Sequence, residues 1–291
     1  MHIRMPAVAD QFYPGDQAQC VAAITAMTRD ASAYTHDPAA LVGGITPHAG
    51  WMFSGAVACE VINALATRGD IETFVVFGAV HRKTGPYASV FARGQWRTPV
   101  GDIEIDEPLA EAIVAAANDI REDPAAHGPE HSIEVETPFI QRAAQGVKLL
   151  PIMIPPLPNA HELGQVVAEQ ATQLGRNVAY VASTDLTHYG PRYGFTPEGV
   201  GPKGCRWAKE VNDQRMIDLI LDLRDDAIVG EAIAHQNACG SGAIAATIAA
   251  CKHAGATRAH LLRHVTSNEI MPERLGESPD AVGYAGIVLT R

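Results

Sequence analysis

Three uninterrupted apolar runs each end abruptly in a polar, chemically capable cluster. Residues 41–45 (LVGGI) lead into Thr46-Pro47-His48-Ala49-Gly50-Trp51. Residues 73–78 (TFVVFG) lead into Ala79-Val80-His81-Arg82, and residues 178–183 (VAYVAS) into Thr184-Asp185-Leu186-Thr187-His188-Tyr189. A strand with one wet face alternates apolar and polar residues, whereas an unbroken run implies that both faces are covered. Helical spacing at 56–66, 109–117, 161–174, 206–223 and 242–254 supplies the covering layers, and further strands are expected at 148–154, 259–265 and 283–289. The alternation predicts an α/β fold: a mostly parallel central sheet with helices on both faces. No internal repeat and no Gly/Ser or Pro linker divides the chain, so a single domain over 1–291 is expected. Residues 191–204 (PRYGFTPEGVGPKG) read as a surface loop near a site.

Ligands of open α/β sheets bind beyond the carboxyl ends of the strands, which places His48, His81, Asp185 and His188 at one edge. Imidazole is the commonest protein ligand for first-row metals, and two His with one anionic ligand is the arrangement of non-haem Fe(II) enzymes. The competing reading of each His is a loop imidazole bonded to backbone. Asp185 and His188 meet if their segment turns helically, as a ligand with its orienting group or as a base held in one tautomer. Asp185 is equally suited to capping a helix. In Glu130-His131-Ser132-Ile133-Glu134-Val135-Glu136, helical spacing would put Glu130 and Glu134 on one face, either solvated or beside a His131 that contacts substrate. Asn237-Ala238-Cys239-Gly240-Ser241-Gly242 precedes the most apolar helix, where the macrodipole favours a thiolate. Cys239 is thus open to three readings: nucleophile, metal ligand or buried small residue. Trp51 and Tyr189 suit stacking on an aromatic substrate as well as plain packing.

Composition narrows the classes. With 22 Lys and Arg against 33 Asp and Glu, the net charge of −11 argues against a nucleic-acid or anionic-membrane face. No run nears the ~18 apolar residues of a membrane span, and the N-terminus lacks a secretory h-region. Five scattered cysteines, Cys20, Cys59, Cys205, Cys239 and Cys251, contain no C-x-x-C pair and read as reduced thiols in a cytoplasm. Twelve His direct attention to metal or acid–base chemistry.

The motifs, taken in order, resemble the Memo family, which includes the bacterial AmmeMemoRadiSam system protein B. The resemblance runs through Arg4-Met5-Pro6-Ala7-Val8-Ala9-Asp10-Gln11-Phe12-Tyr13-Pro14, Pro47-His48-Ala49-Gly50-Trp51, Phe53-Ser54-Gly55 and Phe77-Gly78 with His81. It continues in Thr98-Pro99-Val100-Gly101, in Glu130-His131-Ser132 through Thr137-Pro138-Phe139, in Ser183-Thr184-Asp185 through His188-Tyr189-Gly190, and in Ala238-Cys239-Gly240. It implies a fold like that of class III extradiol ring-cleaving dioxygenases, which use non-haem Fe(II). It also implies His48 and His81 as metal ligands, with Cys239 where those enzymes place a Glu. By the same resemblance His188 is the acid–base histidine with Asp185 beside it, and His131 lines the pocket.

A thiolate is softer than a carboxylate and favours Fe(II), Cu(I) or Zn, which departs from the ordinary extradiol route. AMMECR1-like and radical SAM proteins are the partners the family implies, and a homo-oligomer is compatible with it. The sequence therefore reads as a mononuclear non-haem metal protein, an Fe(II)-dependent, dioxygenase-like oxidoreductase acting on a small substrate, aromatic in one version. The alternatives are an iron- or copper-binding or partner-binding protein without turnover, a Zn-type hydrolase, and a Cys239–His188 nucleophile pair.

Overall fold

The computed structural model describes residues 2–30, 37–82 and 84–291. Twelve strands occur among them: β1 (Ile3–Arg4), β2 (Leu41–Thr46), β3 (Thr73–Gly78), β4 (Ala88–Val90), β5 (Gln95–Thr98), β6 (Gly101–Glu104), β7 (Ile120–Glu122), β8 (Lys148–Met153), β9 (Val178–Ser183), β10 (His188–Tyr189), β11 (Arg258–Thr266) and β12 (Ala281–Thr290). Nine form the main sheet, in the order β10-β12-β2-β9-β3-β8-β4-β7, with β11 paired to β12. The small sheet is β1-β5-β6. The four central strands β2, β9, β3 and β8 are mutually parallel, as their unbroken apolar runs predict. Antiparallel pairing enters at the flanks, where β12 joins β2 and β4 joins β8.

Every residue of β2, β3, β9 and β12 is buried, so the sheet is covered on both sides. Adjacent glycines in β2 show what covers each face. A Cβ on Gly43 would stand 2.5 Å from the Cys251 sulfur of the helix Ser241–His253, and one on Gly44 would stand 2.5 Å from Val61 of the helix Trp51–Ala66. Side chains of consecutive strand residues point to opposite faces, so these two helices sandwich the sheet and press close to it. The expected strands lie within a residue or two of where the pattern puts them. The helix expected at 206–223 is three segments in continuous succession, α-helix Pro202–Trp207, a π-helical turn Ala208–Asp213 and α-helix Gln214–Leu221. No helix among the described residues is long and apolar enough to cross a membrane.

Candidate metal centre

Strand register brings the first residues of the site together. Thr46 at the end of β2 pairs with Ser183 at the end of β9. His48 and Asp185 each lie two residues further on, and the His48 amide donates to Asp185 Oδ1 at 2.8 Å. His81, three residues beyond β3, arrives at the same edge, and its ring centroid is 5.0 Å from that of His48. His131 comes from a turn rather than a strand end, yet its ring lies 4.6 Å from His81 and 5.5 Å from His48. One ligand nitrogen from each of His48, His81 and His131 can be chosen so that all three lie within 4.8 Å of one another. The Cys239 sulfur is 3.3 Å from His48 Nε2 and 3.3 Å from the Asp185 amide, which donates to it. Gly240 makes this approach possible, because a Cβ there would stand 2.6 Å from the Ser183 carbonyl oxygen.

A second layer aims the rings. The Ser183 hydroxyl donates to the Ser132 carbonyl at 2.5 Å, leaving its lone pairs to accept from His48 Nδ1 at 2.8 Å and freeing His48 Nε2 for the site. Glu130 accepts from the His81 amide at 2.8 Å, from His81 Nδ1 at 2.9 Å, and from the amides of His131 and Ser132. It also stands 3.4 Å from His131 Nδ1. A carboxylate on one imidazole nitrogen directs the other nitrogen at a metal. Glu130 and Ser183 were not among the expected site residues. The acid immediately before His131, inside a Glu-His-Ser triplet, was the available signal.

The charge pattern follows from this packing. Burial works against charge on His48, but the Cys239 and Asp185 charges outweigh it and raise its pKa to about 9. Burial likewise opposes charge on His81, and bonds to Cys239 and Glu130 lift it to about 10. Burial would raise the Cys239 thiol, yet the two imidazoles bring it down to about 5. His131 is lowered to about 4 by burial and by repulsion from His48 and His81, so its ring stays neutral. Glu130, despite burial, is held well below the usual carboxylate range by His81. Without metal the centre is thus a thiolate–imidazolium cluster with one neutral ring. Soft thiolate plus imidazole, already in contact, is a donor set that fits Fe(II), Cu(I) or Zn.

Several expectations are corrected. Residues 184–187 have no regular structure and His188 lies on β10, so Asp185 and His188 do not meet through a helical turn. Asp185 serves the His48 amide, and His188 Nδ1 pairs with the Leu186 carbonyl at 3.1 Å. The acids at 130–136 sit in turns, and Glu130, Glu134 and Glu136 are buried rather than solvated. Glu134 anchors the N-terminal segment by accepting from Arg4, from the Ala7 and Val8 amides and from the Tyr13 hydroxyl. Glu136 bonds Thr46, and burial raises its carboxyl to about 8. Trp51 stacks between Tyr13 and Phe139 while Tyr189 is fully buried with Cys205, so both pack rather than face the cavity. The imidazoles that Cys239 contacts are those of His48 and His81, not His188. Cys20, Cys59, Cys205 and Cys251 are buried, as expected of core thiols.

A cavity of about 540 Å³ opens above the cluster. His48, His81, His131, Asp185 and His188 line it together with Phe12, Phe53 and Tyr284. Arg192 and Tyr193, from the segment read as a loop near a site, also line it, and the Tyr193 ring lies 5.1 Å from that of His188.

An α/β protein with an imidazole–thiolate cluster at the carboxyl edge of its parallel strands is the class that fold and site define. The model of the Memo-like protein family matches residues 4–288, and the chain belongs to the Memo family. Its relatives include MEMO1 family proteins of Thermococcus onnurineus, 36% identical over 99% of this chain and 100% of that one, and of Pyrococcus abyssi, 38% identical over the same shares. Another, from Methanopyrus kandleri, is 36% identical over 99% of each chain. A slight structural likeness links it to an uncharacterized protein of Escherichia coli K12, with a TM-score of 0.49 and 12% identity over 79% of this chain and 91% of that one.

Proposed function

We propose that the protein is a mononuclear metal protein working as an Fe(II)-dependent, dioxygenase-like oxidoreductase on a small substrate, with His48, His81 and Cys239 as ligands. The observation that carries this reading is the 3.3 Å separation of Cys239 Sγ and His48 Nε2. A metal bonded to both at ordinary lengths in a tetrahedral site would span about 3.5 Å between them. When bound, Fe(II) would supply open positions for substrate and O2 and a relay for electrons that pass from the substrate, the reductant, to oxygen.

The chain's own groups handle position and protons. Phe12, Phe53 and Tyr284 hold a planar, apolar body against the cavity wall, which suits an aromatic substrate. His188 pairs through Nδ1 with a carbonyl, which leaves Nε2 as the atom that accepts a proton from a substrate hydroxyl or amine and returns it later. Neutral His131, which lines the same cavity, offers a hydrogen bond to substrate.

A second reading is favoured by His131. Its nitrogen lies close enough to those of His48 and His81 to act as a further ligand. Four protein ligands would close the site, as in metal-holding rather than catalytic centres, and would suit Cu(I) or Zn as well as iron. The test is anaerobic reconstitution with metal analysis, followed by oxygen uptake of the Fe(II) form with catechols and aminophenols. About one iron per chain is expected, lost in His48→Ala and Cys239→Ala but retained in His131→Ala. Full metal retention in the first two variants removes the ligand assignment. Iron lost in His131→Ala, with no substrate-dependent oxygen uptake, establishes the closed, metal-holding site instead.

A further inference from the structure

Away from the cavity lies a second buried polar cluster, built on the π-helical turn Ala208–Asp213. Such turns interrupt α-helices at a cost in regular geometry and recur at functional sites. This one presents two consecutive residues, Asn212 and Asp213, both buried, to the two loops that carry the candidate site. Toward the loop of Asp185 and His188, Asp213 Oδ1 accepts from the Thr187 amide at 2.9 Å and Asn212 Nδ2 donates to Thr187 Oγ1 at 3.1 Å. Toward the loop of Cys239, Asn212 Nδ2 donates to the His235 carbonyl at 2.9 Å, and the Asn212 carbonyl accepts from Asn237 Nδ2 at 3.0 Å. Asp213 Oδ2 is fixed by His264 Nε2 at 2.9 Å, which ties the turn to β11.

We propose that Asn212 and Asp213 are positioning residues, and that the π-helical turn is the fastener that sets Cys239 and His188 relative to one another. The two loops also meet directly, where the Cys239 amide donates to the Asp185 carbonyl, the Asp185 amide donates to the Cys239 sulfur and the Gly240 amide donates to Thr184 Oγ1 at 2.9 Å. Those bonds all lie between residues 184–185 and 239–240, whereas the turn holds Thr187 on one loop and His235 and Asn237 on the other, so it braces the pair at a second place. Asn212 Oδ1 and Asn237 Oδ1 are buried without a partner among the described residues. Burying an amide oxygen without a protein partner lowers stability, and the cluster accepts this to keep the donors aimed.

The proposal rests on Cys239 and His188 being site residues, and its test is read on the metal-free full chain so that it stands apart from metal binding. Two signals are followed: alkylation of Cys239 by iodoacetamide, resolved by mass spectrometry, and the ring tautomer of His188 by nitrogen NMR. In Asn212→Ala and Asp213→Ala, Cys239 alkylation should change by about fivefold or more, and the single His188 tautomer should become a mixture. Asp213→Asn retains an oxygen acceptor for the Thr187 amide and should restore the wild-type tautomer. Ile220→Val, buried in the neighbouring helix, is the control for lost stability alone and should leave both signals unchanged. Should Asn212→Ala not fold, Thr187→Val removes the same hydroxyl contact more gently and carries the test. Variants that melt early while keeping both wild-type signals overturn the proposal, as does a change confined to one of the two loops.

Discussion

Each imidazole that could hold a metal is aimed by a named neighbour, and Glu130 aims two. Removing its charge in Glu130→Gln should weaken metal binding by about 10- to 100-fold in chelator competition while leaving the fold intact. An unchanged affinity would show that Glu130 is merely packed. A pH dependence follows from the same cluster. In the metal-free chain His48 titrates near 9 and His81 near 10, whereas Cys239 is already a thiolate above about 5. An incoming metal must displace both imidazolium protons at neutral pH. Affinity should therefore rise with pH, by up to about a hundredfold per unit while two protons leave together, and flatten above about 10. A flat profile between pH 6 and 9 would show that the imidazoles are not displaced.

Among the elements, β2 has the least room. It is squeezed between two helices, and a Cβ on Gly43 would meet the Tyr180 carbonyl oxygen at 2.2 Å as well as the Cys251 sulfur. Backbone cannot yield as a flexible side chain can. Gly43→Ala should therefore cost about 1–3 kcal/mol, read as a lower denaturant midpoint at constant slope. Because β2 leads straight into His48, the variant should also weaken metal binding; wild-type stability would mean that the helices can part. The central strands were legible in the sequence because burial on both faces removes polar residues from them, as in 73–78 and 178–183. The segment that carries His131 was not, since its acids have helical spacing but are drawn into separate turns by Arg4, His81 and Thr46. Nothing local in 206–223 announces a π-helical turn, whose reason lies in Thr187 and Asn237.

At the scale of the molecule, buried neutral histidines make stability depend on pH. His127 is fully buried and lowered to about 4, chiefly by burial, and His131 is lowered to a similar value. Their folded-state pKa values lie below the ordinary 6.5, so the unfolded chain binds their protons first as pH falls. Their contribution is full above about 6.5 and is lost progressively between there and about 4. Denaturation of the metal-free chain should show this decline, and His127→Gln should reduce it; a curve unaltered by that change would assign the proton uptake elsewhere. The stability that Cys239 adds through its depressed pKa is lost from about 9 down to about 5, but that of His48 and His81, whose pKa values are raised, grows as pH falls to about 6.5, so the net decline lies below about 6.5.

The sequence by itself determined the layered α/β arrangement and which strands would end in His48, His81 and Asp185, because hydrophobic periodicity and strand-end position are properties of short stretches. It also singled out Cys239, from a thiol beside glycines at the start of an apolar helix. Only the tertiary structure decided what those groups are bonded to. Strand register set His48 against Asp185, Gly240 let the Cys239 loop close on Ser183, and Glu130 reached across 49 positions to His81. Contacts of that kind depend on which segments the folded core brings side by side, and no local pattern in the chain encodes them.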